Sequence, residues 1–505
     1  MCSASLLRKR SFVFGGRPVS SSRGRVWRGS TEAPAGFRCI SSIPGTATHK
    51  GSFVSRRLQH ALEERVASCP ELQRSWITAI NEYSPADTSQ EAEWSSFCIQ
   101  LNEAAERRKT IEAPNEAEIE AVTTVLEDFY KTAMCKPVSS LWNSRQNFEQ
   151  LLMTLDNSSA PGYPYQREAP TIGDWLKIVD GMPNIVQVER LWYDVQLVMR
   201  GEYDHIFRAF VKDEPHKASK VKAGKWRLII ASSLPVQMVW RMLYFSQNEA
   251  LNASSSTIPS KHGFVFCYGG WRRFLAMAKT KGITISRDIS AWDVNAPGWV
   301  FKVVGRLRAR WSGVDDEWRR VHNMLYTDAY EDSRILFSNG LIVKQLFQGF
   351  MKSGLFNTIT DNSMAMVAMH ILACLRSNSI IGQIFATGDD VVQEVCSDEY
   401  LSALEKLGCR VKELINHIEF MGLSFRTGKP EPLYVAKHMV NFMCKEGLEK
   451  EVLDSYCRNY AESEYFDFWH GLAKSLGIQL PSRSYYRFWM SSPLAQHVAA
   501  ARLMM

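Results

Sequence analysis

The chain has 505 residues, of which 45% are hydrophobic and 22% charged, which predicts a globular protein with a sizeable core and two or three subdomains. The formal net charge is +7, but residues 1–60 contribute +10, through eleven Lys or Arg side chains and one acid, Glu32. The other 445 residues sum to −3, with 49 basic and 52 acidic side chains, which excludes a globally basic body that binds nucleic acid over its whole surface.

Cysteines and apolar runs argue against two further classes of protein. The eleven cysteines are scattered, with no Cys-x2-Cys pair and no His/Cys cluster at zinc-ligand spacing, so reduced thiols are expected. No apolar run approaches the ~20 residues of a membrane span. The longest, Met364–Leu375, is interrupted by His370, and we expect no transmembrane segment.

The N-terminal segment, residues 1–57, is basic and rich in Arg, Ser and Gly, with little apolar periodicity. This composition predicts disorder. Its role is open among three alternatives: a basic RNA-binding arm, a mitochondrial-type transit peptide and the linker region of a longer polyprotein.

From Leu58 onward the apolar spacing predicts helices. Leu58, Leu62 and Val66 recur at helical spacing, and Trp94–Leu101 continues the pattern. The stretch Glu112–Tyr130 carries regularly spaced apolar residues among acids and is typical of an amphipathic helix.

Two segments before residue 230 have a distinctive composition. Ser159–Tyr165 is a Pro/Gly loop, and Val211–Lys217 begins a basic run that continues to Arg227. Clustered Lys and Arg side chains can neutralise a triphosphate, which makes Lys212 and Arg227 candidate ligands. The alternative is a solvated basic loop.

The segment Gly282–Ile289 alternates apolar and polar residues and predicts a strand. Asp288 lies near its end, and Asp293 follows five positions later, on the turn that leads out. Taken alone, these two acids could simply cap a turn.

Residues 300–345 are expected to pack into the core. The aromatic side chains at and inside this interval favour core packing over a base-stacking platform: Trp299, Phe301, Trp311, Trp318 and Tyr326.

A Ser-Gly loop, Ser353-Gly354, then precedes a predicted helix. Thr358 and Asn362 are four positions apart, so they share one face of that helix.

The segment Phe385–Val392 predicts a β-hairpin with Gly388 in the turn. Asp389 and Asp390 are adjacent carboxylates that repel each other at its tip, and a divalent cation would relieve that repulsion. A plain solvated turn is the alternative. Together with Asp288, these acids could hold two Mg²⁺ ions of the kind that stabilise the attacking and leaving oxygens of a phosphoryl transfer.

These patterns occur in a distinctive order: Asp-x4-Asp, then Ser-Gly-x3-Thr-x3-Asn-Ser, then Gly-Asp-Asp. This order resembles palm motifs A, B and C of the RNA-dependent RNA polymerases of positive-strand RNA viruses. The basic run resembles motif F and Ser159–Tyr165 resembles motif G, while Leu407–Lys412 and Phe420–Phe425 fit motifs D and E. The sequences Lys-Asp-Glu-Pro-His-Lys and Met-Lys-Ser-Gly are most similar to those in the polymerases of the sobemovirus and polerovirus group and its sobemo-like relatives. The resemblance covers roughly residues 155–430.

The resemblance implies an α/β right-hand polymerase with fingers, a palm built on a ferredoxin-like antiparallel sheet, and a helical thumb. The expected regions are an N-terminal extension (1–57), fingers with motifs G and F (58–281), palm motif A (282–299), a fingers/palm insertion (300–345), palm motifs B to E (346–426) and the thumb (427–505). Since sobemo-like viruses make their polymerase as the downstream part of a polyprotein, the linker interpretation of the N-terminal segment is favoured.

The resemblance also implies roles for the acidic residues. Asp288 and Asp389 would ligate two Mg²⁺ ions, for which Mn²⁺ can substitute, and Asp390 would assist as a weaker ligand or by shaping the field. In related enzymes a motif D lysine protonates pyrophosphate. Lys412 is the candidate here and Lys406 the alternative.

Substrate selection is expected to depend on a second set of residues. Lys212 and Arg227 would pair with the triphosphate, while Asp293 and Asn362 would recognise the ribose 2′-hydroxyl. The residues expected nearby are Ser353, Gly354 and Thr358.

The implied function is template-directed RNA synthesis in the replication and transcription of a viral genome. Expected partners are template and product RNA, ribonucleoside triphosphates, a genome-linked protein primer and other viral replication proteins, in host cytoplasm at replication complexes. Initiation de novo or from a protein primer stays open. A reverse transcriptase usually has a bulky residue at the position of Asp293 and lacks the helix of Asn362, and a catalytically inactive RNA-binding scaffold does not need every carboxylate that is present here.

Overall fold

The computed structural model describes residues 32–45, 51–134, 139–313 and 315–503, which belong to one compact unit. The first half of the described chain is mostly helical. Its elements are β1 (Phe37–Ser42), α1 (Arg56–Ala67), α2 (Gln73–Glu82), β2 (Tyr83–Ser84), α3 (Gln90–Arg108), α4 (Glu116–Tyr130), α5 (Arg145–Leu152), α6 (Ile172–Leu176), α7 (Ile185–Arg200), β3 (Phe207–Val211), β4 (His216–Lys217), α8 (Ala218–Lys222), β5 (Leu228–Ala231), α9 (Leu234–Ala253) and α10 (Gly270–Thr280).

The second half alternates strands and helices and ends in a run of helices. Its elements are β6 (Ile285–Ile289), α11 (Trp292–Asn295), α12 (Gly298–Ser312), α13 (Asp316–Tyr330), β7 (Arg334–Leu336), β8 (Leu341–Gln345), α14 (Thr358–Arg376), β9 (Ile384–Thr387), β10 (Asp390–Gln393), α15 (Asp398–Lys406), β11 (Val411–Ile415), β12 (Glu419–Phe420), β13 (Leu423–Ser424), β14 (Glu431–Pro432), α16 (Val435–Met443), α17 (Glu449–Asn459), α18 (Phe466–Ser475), α19 (Arg483–Ser491) and α20 (Leu494–Leu503).

The predicted disordered segment, 1–57, is described only in part, since residues 1–31 and 46–50 lie outside the described ranges. Within it, the prediction of disorder is wrong for β1. This strand pairs antiparallel with β8, and Phe37 is buried against Phe97, with ring centroids 4.9 Å apart. Pairing with a strand about 300 residues away stabilises β1 although its own sequence lacks apolar periodicity.

Local capping sets the bounds of the predicted helices. In α1, Leu58, Leu62 and Val66 are buried as expected. The amphipathic helix that was predicted from Glu112 begins instead at Glu116. There the Asn115 side chain accepts a hydrogen bond from the backbone of Glu118, whose carboxylate accepts one from the backbone of Asn115. This capping box satisfies the first N–H groups of α4 and fixes its start.

A five-stranded sheet has the order β1-β8-β7-β3-β5. β7 and β8 lie between the predicted motifs A and B, and they join β3, with which β7 pairs in parallel. Residues 300–345 therefore contribute two strands to the sheet that contains β3, the strand that leads into the basic run. The aromatic residues singled out at this interval are buried, each at 9% exposure or less, which confirms that they belong to the core: Trp299, Phe301, Trp311, Trp318 and Tyr326.

A four-stranded sheet has the order β11-β6-β10-β9, and its neighbouring strands are all antiparallel. Along the chain, β6, α14, β9, β10, α15 and β11 follow one another, with further elements between β6 and α14. This is the β-α-β-β-α-β order of a ferredoxin-like sheet. The two central strands, β6 and β10, bring Asp288 and Asp390 to the same end of the sheet.

The helix α14 forms the centre of the packing behind this sheet. It packs against α4, α12, α15 and β9, and nearly every side chain from Thr360 to Cys374 is buried. Of the helices that the structure describes, α14 alone is long and apolar enough to cross a membrane by length and composition, and 83% of its most apolar window is buried inside the protein.

The C-terminal helices share a core with the first helices of the described chain. α16 packs on α2, and α18 packs on α1. Phe468, Trp469 and Tyr486 are buried in this core, whereas Tyr485 is 37% exposed. The predicted bounds of fingers, palm and thumb stay predictions.

Candidate functional site

The predicted hairpin is present, with a two-residue turn at its tip. Thr387 pairs with Asp390, so Gly388 and Asp389 form the turn. Gly388 has φ +60° and Asp389 does not have positive φ, as in a type II′ turn. The backbone N–H of Gly388 donates to Ser363 Oγ at 2.9 Å, which anchors the acidic tip to α14.

The carboxylates that the sequence singled out converge on one cavity. The register pairs Val391 with Arg287, which puts Asp390 directly opposite Asp288 at the end of the ladder. Asp293 lies in the first turn of the short helix α11. All three, together with Asp389, line a cavity of about 570 Å³, here called the central cavity.

The pKa values in the central cavity indicate an excess of negative charge. Burial raises the pKa of Asp293 to about 6, and the charge of Asp389 adds to the rise. Burial and the charge of Asp389 likewise raise the pKa of Asp390 to about 6. Asp389 and Asp390 remain exposed to the solvent in the cavity, so it is the surrounding cavity wall that desolvates them. A bound cation would stabilise the ionised forms.

The donor set fits a hard divalent cation, because it consists of carboxylate oxygens. No group of three or more His, Cys, Asp or Glu side chains within the described ranges is arranged to hold a metal ion as it stands. Asp288 instead forms an ion pair with the ammonium group of Lys412. The contact uses one oxygen of the Asp288 carboxylate, and the other oxygen remains available to a cation shared with Asp389.

Lys212 and Arg227 lie across from each other at the end of the antiparallel pair of β3 and β5. The Lys212 N–H donates to the Arg227 carbonyl at 2.9 Å. Their side chains share the carboxylate of Glu214, at 2.8 Å from Arg227 and 3.4 Å from Lys212, and Lys437 reaches it at 3.2 Å. Burial alone would raise the pKa of Glu214, but the three cations lower it to about 2. Glu214 thus gathers three cations beside the aspartates.

Sequence reasoning missed Glu214 and Lys437 as functional residues. Glu214 lies inside the Lys-Asp-Glu-Pro-His-Lys run, and an acidic residue within a basic run was the one sequence feature that could have indicated an ion pair there. Lys437 comes from α16, more than 200 residues later in the chain, and nothing in its local sequence indicates the cavity. The remaining cavity-lining lysines belong to the predicted basic run: Lys217, Lys220 and Lys225.

The Ser-Gly loop is docked onto β5. The Gly354 N–H donates to the Ile230 carbonyl at 3.0 Å, and a Cβ on Gly354 would lie 2.7 Å from the Cα of Ala231. Glycine is therefore required for this close approach. Ser353 lines the central cavity. Thr358 donates to the Leu355 carbonyl at 2.9 Å, so it organises the loop instead of lining the cavity.

Asn362 lies behind the central cavity. It is 5% exposed, and its Oδ1 accepts a hydrogen bond from the Trp292 indole N–H at 2.8 Å. Trp292 immediately precedes Asp293, so Asn362 supports the residue next to that carboxylate. Asn362 itself is not among the side chains that line the cavity, and neither are Lys212, Gly354 and Thr358. Its direct contact with a ribose stays a prediction.

Of the two lysines proposed as general acid, Lys412 adjoins the aspartates. Its hydrogen bond to Asp288 raises its pKa. Lys406 ends α15 and pairs with Glu112 at 3.5 Å, with both side chains more than half exposed. The geometry favours Lys412, and the role itself stays a prediction.

The raised pKa of Asp390 predicts a pH-dependent stability in the metal-free protein. The folded state holds this proton up to about pH 6, whereas the unfolded chain releases it near pH 4. The cost of ionisation therefore develops as the pH rises from about 4 to about 6 and persists above it. We expect Asp390→Asn to remove this cost and to stabilise the protein by about 1 kcal/mol at pH 7.5, after allowance for solvent exposure, and by less at pH 5.

The measurement is thermal unfolding in EDTA at both pH values. Asp180→Asn, at an exposed loop position where asparagine tolerates the φ of 50°, is the matched control. An effect of Asp390→Asn that is the same at pH 5 and pH 7.5, or that the control reproduces, would contradict the prediction.

Comparison with known proteins identifies the family. The family model described as viral RNA-dependent RNA polymerase matches residues 101–451, a wider range than the motifs alone. The chain is 28% identical to "Protein P1-P2" of Turnip yellows virus over 66% of its length and 35% of that protein. It is 29% identical to "Replicase polyprotein P2AB" of Southern bean mosaic virus over 49% of its length and 27% of that protein.

A third relative is shorter. The chain is 29% identical to "RNA-directed RNA polymerase" of Mushroom bacilliform virus over 54% of its length and 69% of that protein. The chain spans about a third or less of the first two relatives. The predicted likeness to the sobemovirus and polerovirus group is confirmed by these matches. Because the family model covers more than two thirds of the sequence, the chain belongs to the viral RNA-dependent RNA polymerase family.

Proposed function

We propose that this chain catalyses template-directed RNA synthesis from ribonucleoside triphosphates, by two-metal nucleotidyl transfer, in the replication and transcription of a positive-strand RNA virus genome. The observation that carries the proposal is the central cavity. There Asp288, Asp389 and Asp390 face the cations that Glu214 gathers, although these residues come from segments far apart in the chain. Membership of the polymerase family supports the same reaction.

The proposed architecture is a right hand. The palm would be the four-stranded sheet with α14 and α15, since its ferredoxin-like order carries the aspartates on adjacent strands. The fingers would contain the five-stranded sheet, and the thumb would be formed by α16 to α20. Two contacts join these parts at the cavity: Lys437 of α16 with Glu214, and the loop of Gly354 with β5.

The mechanism assigns the negative side of the cavity to metal binding. Two Mg²⁺ ions, or Mn²⁺ in their place, would activate the primer 3′-hydroxyl and neutralise the pyrophosphate leaving group. Asp288 and Asp389 would bind these ions, and the negative charge of Asp390 would add to the electrostatic attraction at the metal site. Lys412 lies beside these carboxylates, paired with Asp288, and would donate a proton to the pyrophosphate.

The positive side of the cavity would bind the triphosphate. Arg227 and Lys212 already hold a carboxylate, that of Glu214, in charge-assisted contacts. Triphosphate oxygens would take over these contacts, because guanidinium and ammonium donors bind phosphate in the same way. Lys437 would be a third cation for the same group.

Ribose selection would depend on Asp293. It lines the cavity beside the aspartates, and Trp292, held by Asn362, fixes the start of its helix. A ribose 2′-hydroxyl would donate to the Asp293 carboxylate. A deoxyribose would leave that half-buried acceptor unpaired, which disfavours deoxynucleotides.

The proposed partners are template and product RNA, ribonucleoside triphosphates, a genome-linked protein primer and other viral replication proteins, at replication complexes in the host cytoplasm. Support comes from relatives whose names describe a replicase polyprotein and an RNA-directed RNA polymerase. The 5′ end of RNA made in vitro, triphosphate or protein-linked, would distinguish de novo from protein-primed initiation.

Primer extension on an RNA template tests the proposal. With Mg²⁺ and matched ribo- or deoxynucleoside triphosphates, we expect the wild type to prefer ribonucleotides by on the order of 10³-fold in kcat/KM. Asp293→Ala should reduce this preference to within about tenfold, because the acceptor of the 2′-hydroxyl is gone.

The control is Asp398→Ala, which removes an exposed acid at the start of α15 and should keep the wild-type preference. Preferential use of deoxynucleotides by the wild type would assign a reverse transcriptase instead. RNA binding without any extension would assign an inactive scaffold.

A further inference from the structure

A second, smaller cavity lies next to the central cavity. It has a volume of about 60 Å³ and is lined by Arg107 and Arg108 at the end of α3, by Arg410 just before β11, and by Asn295 of α11. Earlier residues of both α3 and α11 line the central cavity. We call this second cavity the arginine pocket.

The arginine pocket has more positive than negative charge. Of the acids near it, Glu405 lines the pocket, and Glu103 lies 3.8 Å from Arg107. Glu103 is shared, because it also pairs with Lys225. Burial and the neighbouring charge of Arg107 lower the pKa of Arg108 to about 10. The three arginines of the pocket therefore outnumber the carboxylates near them, which are those of Glu405 and Glu103.

Two of the arginines have donors without partners. The Arg108 guanidinium lies over the Phe347 ring, 3.6 Å from its centroid, and its buried Nη1 has no hydrogen-bond partner among the described residues. The exposed Arg410 side chain forms no ion pair with any residue in the described part of the chain. Buried donors in folded proteins are nearly always paired, so Arg108 retains hydrogen-bonding capacity that an anionic ligand in the pocket would satisfy.

We propose that the arginine pocket binds one phosphate group, from a free nucleoside triphosphate or from released pyrophosphate. The cavity is small, about 60 Å³, which favours a compact group such as a single phosphate over a larger one. Planar guanidinium forks match phosphate oxygens in pairs. The source of the polyphosphate, a nucleotide substrate or its leaving group, rests on the proposed function.

The arginine pocket is connected to the segment that carries the aspartates. Arg107 Nε donates to Asn295 Oδ1 at 2.7 Å, and Asn295 Nδ2 donates to the Ser290 carbonyl at 3.3 Å. The Ser290 N–H in turn donates to the Arg410 carbonyl at 3.0 Å. Ser290 lies between Asp288 and the helix α11. A phosphate held by Arg107 and Arg410 would thus brace the loop on which the catalytic aspartate depends.

Calorimetric titration of the full chain with inorganic pyrophosphate, in EDTA and without RNA, tests the proposal. We expect two equivalents to bind: one at the cations around Glu214 and one in the arginine pocket. Arg410→Gln should weaken one equivalent by about tenfold or more and leave the other, whereas Arg227→Gln should do the reverse. Arg410 is exposed, so its replacement should not unfold the protein, and Arg107→Gln should reproduce the loss.

Arg319→Gln, at an exposed position on α13, is the control for a lost positive charge. Two equivalents in Arg410→Gln, or a single equivalent that only Arg227→Gln removes, would overturn the proposal. Repeating the titration with ATP separates the sources: binding of ATP in the pocket identifies the substrate, and binding of pyrophosphate alone identifies the leaving group. If Arg410→Gln weakens binding of a short single-stranded RNA but not of pyrophosphate, the proposal is wrong.

These outcomes are independent of the proposed reaction. The titration needs neither metal nor template, so a wild type that makes no RNA can still bind pyrophosphate in the arginine pocket. Conversely, an active polymerase in which Arg410→Gln binds pyrophosphate normally would retain the proposed function and lose the proposed site.

Discussion

Replacing Asp389 with alanine is expected to reduce nucleotide incorporation by on the order of 10³-fold or more in Mg²⁺, without unfolding the protein. Asp389 is the turn residue at the tip of the β9–β10 hairpin and lines the central cavity. A metal ion in a two-metal site contributes several kcal/mol to the transition state, which corresponds to this loss of rate. The measurement is single-turnover extension of a primed RNA template by one nucleotide.

Replacing Asp390 with alanine should reduce nucleotide incorporation less than replacing Asp389. It begins β10 opposite Asp288, and in the proposed mechanism it shapes the field or acts as a weaker ligand. Asp390→Ala should therefore keep a measurable rate of incorporation, reduced by about 10- to 100-fold.

Thermal unfolding of each variant distinguishes a loss of catalysis from a loss of folded structure. Since burial raises the pKa of Asp389, its removal should not destabilise the metal-free protein at neutral pH. Wild-type incorporation by Asp389→Ala would refute the metal assignment.

The parts of the site that could be predicted from the sequence are those whose physics is local. Gly388 supplies the positive φ that the hairpin turn needs, and a mostly apolar run on either side marks the two strands. Thr358 and Asn362 lie one helical turn apart on α14, as their spacing predicts. The aspartates could be joined into one site because the ferredoxin-like sheet puts the end of β6 beside the start of β10.

Long-range contacts account for what the sequence did not reveal. Lys437 reaches Glu214 because α16 packs on β2, which pairs with β4 two residues after Glu214, and no local pattern in α16 encodes that contact. Strand β1 depends on β8 for its pairing. The hydrogen bond that Asn362 Oδ1 accepts from Trp292, a partner 70 residues away, is likewise long-range. Spacing places residues on one face of a helix but does not identify what that face meets.

Replacing Asp361 with alanine is expected to lower the free energy of unfolding by about 3–5 kcal/mol, since it leaves a buried guanidinium unpaired. Asp361 and Arg308 are both fully buried, and their closest charged atoms are 2.7 Å apart. Tyr326 and Tyr330 donate to the second carboxylate oxygen at 2.9 Å and 3.3 Å. The other acceptors for the Arg308 guanidinium are Gln247, Asn248 and Thr360.

Urea denaturation measures the change, with Asp316→Ala, which removes an exposed acid on α13, as the control. The double replacement Arg308→Met with Asp361→Leu should cost less than Asp361→Ala alone, because it removes both charges. A loss below about 1 kcal/mol for Asp361→Ala would show that the pair is not what stabilises this region.

The same replacement should also lower polymerase activity in protein that remains folded. Asp361 lies next to Asn362, which supports Trp292, and two residues before Ser363, which anchors Gly388 at the acidic tip. Loss of the ion pair at the start of α14 would therefore loosen both supports of the central cavity at once. Metal affinity and ribose selection should fall together in Asp361→Ala, whereas Asp293→Ala should change ribose selection alone.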